Sequence, residues 1–168
     1  MILYFAGGET RYFTKTIIEN STKEGVKPSI LYSYYHADDG KSIDLFPRDK
    51  INTFIDSGAF SAWTKGVAID IDRYINFLKI NERFITLYAP LDVIGDAEKT
   101  RQSQRYMEAL GLNPVPVFHY TTKKDEYRAF ADLIQRYPYV ALGGIAGKNP
   151  GINHKRRHLD QCFDIIFK

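Results

Sequence analysis

Short apolar runs and longer amphipathic stretches alternate along the chain. The apolar runs lie at 2–6, 29–34, 53–55, 86–91, 114–118 and 139–142, and several are almost unbroken. Runs this short and this apolar predict strands buried on both faces of a parallel sheet. Between them the apolar positions recur at helical spacing. Ile71, Tyr74, Ile75 and Leu78 form one such stripe. Ser103, Tyr106, Met107 and Leu110 form a second, with Gly111 placed to end the helix. Tyr127, Phe130, Ala131 and Ile134 make a third, with Thr122 and Asp125 available to cap it. Leu159, Cys162, Phe163 and Ile166 make a fourth, and an earlier helix is predicted from about Arg11 to Asn20. The polar stretch 36–50 (HADDGKSIDLFPRDK) reads as a loop.

Six strand–helix units consume all 168 residues, with no linker or low-complexity tail between them, so the expectation is a single α/β domain over 1–168. A doubly wound sheet and a (β/α) barrel both use this rhythm. A full barrel usually takes about 250 residues, which favours the open sheet. The placement of small and polar residues favours the barrel. Gly7–Glu9, Asp56–Gly58, Asp92, His119 and Gly143–Gly144 each stand just beyond a predicted strand. A doubly wound sheet concentrates its site at one crossover, whereas a barrel spreads it over successive strand ends. The fold expected is therefore TIM-barrel-like: an incomplete barrel of about six β/α units, without the last two.

Composition removes whole classes. Hydrophobic residues are 44% and charged residues 26%, as in ordinary globular chains. The single cysteine, Cys162, excludes an internal disulfide framework and a cysteine-cluster zinc site. No apolar run reaches the ~20 residues of a membrane helix, and no basic leader precedes the first apolar run, so a cytoplasmic protein without membrane contact is expected. The net charge of +3 permits a nucleic-acid partner without requiring one. Part of the excess gathers in Lys148, Lys155, Arg156 and Arg157, beside His154 and His158. These cations can touch phosphates, or they can be the solvated start of a helix.

The candidate chemistry sits at the strand ends. In FIDSGAFSAW, Asp56 is followed by small residues that let a planar ligand approach the backbone, with Phe60 and Trp63 near enough to stack on it. An Asx turn with core aromatics explains the same residues. In YAPLDVIGD, Asp92 can accept two N–H bonds from a purine-like edge, and Asp96 suits a helix cap. His119, ending VPVFHY, is a ligand contact or a satisfied core histidine, and Tyr120 can stack or hydrogen-bond. Gly143 and Gly144 in YVALGGIAG can expose backbone groups to a ligand. Their spacing fits no dinucleotide fingerprint, no GxxxxGK phosphate loop exists, and the four histidines form no HExxH or other close ligand set. Neither a metal nor a cofactor is expected.

Taken in order, FIDSGAFSAW, APLDVIGD, VPVFHY and YVALGGIAG resemble the queuine/archaeosine tRNA-guanine transglycosylase superfamily. The resemblance is closest to its phage and bacterial branch, which inserts 7-deazaguanine bases into DNA. It covers the whole chain but only about the first three quarters of the family's barrel. It implies a protein that exchanges guanine for a 7-deazaguanine through a covalent glycosyl-enzyme. Asp56 matches the aspartate of the family's DSG motif, cast as a proton-transfer group. Asp92 matches the residue that reads the guanine edge, and Gly143 and Gly144 match glycines whose backbone contacts the base. His119 stands where tRNA-acting members often keep a glutamine. The family's nucleophilic aspartate follows the glycine pair on a further strand, whereas Asp160 and Asp164 lie on a predicted helix. The zinc site of the tRNA enzymes is missing as well. The resemblance thus implies the base-recognition part of a DNA-modifying enzyme, with tRNA the second choice of substrate, in split or truncated form. A second chain or a homodimer is expected to cover the open barrel edge. A stand-alone N-glycosidase or other nucleotide enzyme using Asp56, and a non-catalytic base- or DNA-binding module, remain the alternatives.

Overall fold

All six apolar runs contribute a strand in the computed structural model, which describes residues 3–8, 10–38, 45–145 and 151–168. The strands are β1 (Tyr4–Ala6), β2 (Ser29–Ser33), β3 (Asn52–Asp56), β4 (Leu87–Tyr88), β5 (Val117–His119) and β6 (Ala141–Gly143). The helices are α1 (Arg11–Lys23), α2 (Tyr34–Asp38), α3 (Ala59–Thr64), α4 (Ile71–Ile80), α5 (Ala97–Ala109), α6 (Glu126–Arg136) and α7 (Ile152–Ile166), with a 3₁₀ turn at Glu82–Phe84. The architecture is mixed α/β, with two parallel sheets flanked by helices. The first sheet runs in the order β1-β2-β3-β4 and the second pairs β5 with β6. Neither contains the central reversal of a doubly wound sheet. Val115 N–H donates to Tyr88 O at 2.8 Å, linking the approach to β5 with the end of the first sheet.

Register and burial separate the two faces of the strands. Ile30 pairs with Thr53 and Tyr32 with Ile55, and all four are buried. They meet Tyr74, Ile75 and Leu78 of α4 and Met107 of α5, forming the larger core. Each fully buried aliphatic or aromatic side chain of this kind contributes about 1.5–3 kcal/mol. A smaller core joins Phe118 of β5 to Phe130 of α6 and Cys162 of α7. On the opposite strand face, Leu31, Phe54, Leu87, Val117 and Ala141 are only half-buried and join neither helix-packed core. Tyr4 reaches across that face to Phe54, with ring centroids 5.7 Å apart. Burial first, and then Tyr139 ahead of β6, raise the Tyr4 hydroxyl above its ordinary pKa.

The elements depart from the expected ones for local reasons. Pro114 and Pro116 have no N–H to donate, and the regular β5 ladder begins only at Val117. The stretch read as one long loop opens with α2, whose Tyr34 and Tyr35 are buried; 39–44 lie outside the described residues. On α5 the buried stripe is Thr100, Gln104 and Met107, while Tyr106 and Leu110 face solvent. Thr100 Oγ1 accepts from Val93 N–H, and Gln104 Nε2 donates to Glu108 and to Tyr137 Oη, so polar side chains are tolerated on that face. Asp125 stands at the N-cap of α6 without a side-chain cap bond, and Thr121 Oγ1 instead accepts from Lys123 N–H. Asp96 does cap α5, accepting from Lys99 N–H.

Candidate functional site

Parallel strands deliver their last residues to one end of a sheet, and here those residues are polar or small. Asp56 closes β3, His119 closes β5 and Gly143 closes β6, while Asp92 follows β4 after a four-residue step that contains Pro90. Asp92 Oδ2 lies 3.6 Å from His119 Nε2, so residues from the two sheets meet. Both side chains are mostly buried. Asp92 Oδ1 and His119 Nδ1 are fully enclosed, and neither has a hydrogen-bond partner among the described residues. A buried acceptor left unpaired costs about 1–3 kcal/mol, a cost that a ligand filling the site would remove.

Asp56 is tied locally: its Oδ2 accepts from Gly58 N–H at 2.9 Å, the Asx-turn geometry. Gly58 has φ +74° and precedes α3. A Cβ there would strike Ser33 Oγ and the Tyr35 side chain. The glycine of the DSG motif therefore has a packing reason of its own, which brings Ser33, the cross-strand neighbour of Asp56, close to the turn. Ser33 was not singled out by the sequence, because its proximity depends on strand register.

Tyr74 is the other residue that sequence alone did not assign to the site. It is fully buried on α4, and its hydroxyl donates to Ala89 O at 2.8 Å. Ala89 N–H in turn donates to Ile55 O, beside Asp56. Burial raises the Tyr74 hydroxyl well above its ordinary pKa, and the charges of Asp56 and Asp92 raise it further. One phenol thus lies within electrostatic reach of both carboxylates. The only signal in the sequence was a tyrosine on an otherwise aliphatic helix face, which needs a partner for its hydroxyl.

The glycine pair also has an internal explanation. A Cβ on Gly143 would meet Val117 Cγ1 at 2.6 Å and the His119 ring at 3.1 Å. Gly144 has φ +71°, and a Cβ there would come within 3.0 Å of Tyr120 N. Gly143 O accepts from Tyr120 N–H. The Tyr120 ring packs edge-on against His158 of α7 at 5.3 Å, so the predicted stacking residue is engaged with a buried side chain of the protein itself. Phe60 remains exposed on α3, with its ring 6.0 Å from that of the exposed Trp63.

The basic stretch divides. Lys148 lies outside the described residues. Lys155, Arg156 and Arg157 leave α7 at successive steps of about 100°, so they do not make one patch. Arg156 is exposed and lies 4.0 Å from Asp160. His158, grouped with these cations in the sequence, is buried: its Nδ1 meets Tyr127 Oη at 2.7 Å and its ring stacks on Phe118. Burial lowers its pKa, so it belongs to the core as a neutral ring. The same core raises the Tyr127 hydroxyl to about 12 and the Cys162 thiol to about 11, both mainly through burial.

A cavity of about 1120 Å³ lies at the opposite, amino-terminal ends of β4 and β5, lined by Thr86, Leu87, Asn113 and Tyr139 among others. None of the strand-end residues above takes part in it. Among the described residues no three His, Cys, Asp or Glu side chains converge, and no helix is long and apolar enough to cross a membrane. Comparison with protein-family models, curated proteins and solved structures finds no match to this chain.

Proposed function

We propose that this chain is the base-recognition part of a guanine/7-deazaguanine transglycosylase-like protein that modifies DNA, built on an incomplete barrel whose strands run in sequence order. The observation that carries the proposal is the pair of buried, unpartnered atoms Asp92 Oδ1 and His119 Nδ1 at adjoining strand ends. A planar base edge with N–H donors satisfies the Asp92 oxygen, and His119 Nδ1 contacts the same ring. The backbone of Gly143 and Gly144 supplies the other edge, and exposed Phe60 offers a stacking face. The strand order and the half-buried inner face, crossed by the Tyr4–Phe54 contact, support the incomplete-barrel reading.

In the exchange, a carboxylate attacks C1′ of the sugar, the C1′–N9 bond breaks, and the departing guanine takes a proton on N9. The incoming deazaguanine then gives up its N9 proton, attacks C1′ and releases the carboxylate. Asp56 is the proton-transfer group in this scheme. Asp92, held to the base edge, does not reach the sugar. Asp160 and Asp164 are exposed on α7, so the attacking carboxylate is assigned to a second chain. The basic stretch supplies single cations from different sides of α7, rather than one patch, to the rim that a flipped or single-stranded nucleotide needs.

Calorimetry with guanine and 7-deazaguanine bases, beside labelled-guanine exchange on DNA and tRNA, tests the proposal. Weak binding of the base, little or no exchange by the chain alone, and a loss of about 10- to 100-fold in affinity for Asp92→Asn are expected. Absence of base binding by the wild-type chain overturns the reading. Exchange that survives Asp56→Asn overturns the role of Asp56, and glycosidic-bond hydrolysis abolished by that variant favours an N-glycosidase.

A further inference from the structure

The last helix has more apolar surface than the protein covers. At about 100° per residue, His158, Cys162 and Ile165 share one stripe of α7, and these pack into the smaller core. A second stripe, roughly a quarter-turn or more away, holds Ile152, Arg156, Leu159, Phe163, Ile166 and Phe167. Ile152 is 77% exposed, Phe163 49%, Ile166 43% and Phe167 82%. The Phe163 and Phe167 rings stack on each other at 6.2 Å, in solvent. Scattered apolar side chains on a surface need no explanation, but a continuous stripe along a helix marks an interaction surface.

We propose that this outer face of α7 is a self-docking surface, on which two copies of the chain pair their α7 helices antiparallel about a two-fold axis near Leu159. The distribution of charge selects this occupant and this orientation. Residues 154–157 carry Lys155, Arg156 and Arg157, and residues 160–164 carry Asp160 and Asp164. Antiparallel pairing sets the basic half of each helix beside the acidic half of the other, with Arg156 near Asp160 and Asp164 of the second copy. Parallel pairing would oppose like charges. The same symmetry puts Ile152 against Phe167 of the second copy and Phe163 over the Arg156 stem, so the stripe is complementary to itself, as a two-fold interface requires. The inference does not depend on base exchange.

A helix of this length measures about 22 Å by about 10 Å, so the contact falls at the small end of the interface range, and a weak, concentration-dependent dimer is expected. Sedimentation velocity from about 1 µM to about 1 mM covers the matching affinities. The wild-type chain is expected to pass from monomer to dimer in this range. Phe163→Asp, at a half-exposed position, is expected to raise the dissociation constant about 30-fold or more with an unchanged circular dichroism spectrum. Cysteine crosslinking tests the geometry separately, because Cys162 is buried and does not compete. Under mild oxidation Leu159→Cys is expected to link to itself across the axis. Ile152→Cys is not, since its two copies stand about 22 Å apart in the antiparallel pair. A wild-type chain that stays monomeric throughout overturns the proposal. So does a dimer indifferent to Phe163→Asp, or self-linking of Ile152→Cys that equals that of Leu159→Cys.

Discussion

A carboxylate and an imidazole placed 3.6 Å apart, each with a buried atom that no described residue satisfies, are expensive to maintain. Their neighbours hold them there. Gly143 leaves room for the His119 ring, and any side chain at this position would contest that space. Gly143→Ala is therefore expected to displace His119 with only a modest loss of stability, about 1–3 kcal/mol, because the added methyl is a single overpacking event. Proton NMR of the His119 ring beside a urea melt checks this: a shifted His119 resonance in a chain that still unfolds cooperatively is the expected result. An unchanged ring environment would mean that the glycine makes room for Val117 and not for His119.

The helices differ in how they are started and which face they bury. Asp70 caps α4 by accepting from Asp72 N–H and Arg73 N–H, and α4 carries Tyr74, the phenol that ties the Asp92 strand end to its neighbours. Asp70→Ala is expected to cost about 1 kcal/mol, read as a lower urea midpoint with an unchanged slope. Helical periodicity located α4 and its buried face, since Tyr74, Ile75 and Leu78 have no polar competitor. It misassigned the inner stripe of α5, where Thr100 and Gln104 are buried because their hydrogen bonds are met by Val93, Glu108 and Tyr137. Glu108 lies on α5 itself, but Val93 and Tyr137 come from outside the helix and leave no mark in the local pattern. On α7 the predicted stripe of Leu159, Cys162, Phe163 and Ile166 merges two faces, one buried with His158 and one open.

At the scale of the molecule, two cores stand over two sheets, and only the smaller one contains a buried histidine. The folded-state pKa of His158 lies below the ordinary 6.5 because burial disfavours its charged form. Between that lowered value and 6.5 the unfolded chain binds the extra proton, so stability is complete above about 6.5 and falls as the pH drops through the lowered value. Hydrogen exchange is expected to show α6 and α7 losing protection first on acidification, ahead of β2, β3 and α4. The His158→Gln variant should lose that differential response. Simultaneous loss of protection in both cores would show that they unfold as one unit.

Among the described residues, the sequence by itself determined the six strands, five of the seven helices, the parallel α/β class and the strand-end positions of Asp56, Asp92, His119 and Gly143. Apolar periodicity and the polar residues that interrupt it are local properties, readable along one dimension. Only the tertiary structure decided which of these residues meet. The nearness of Asp92 to His119, the link from Tyr74 to both carboxylate-bearing strand ends, the packing of Tyr120 on His158 and the burial of His158 all depend on register and on packing between elements distant in the chain. A basic run that looks continuous in sequence spreads around a helix because each residue turns it by about 100°. An apolar stripe shows how much surface must be covered, and only the packed molecule shows how much of it has been.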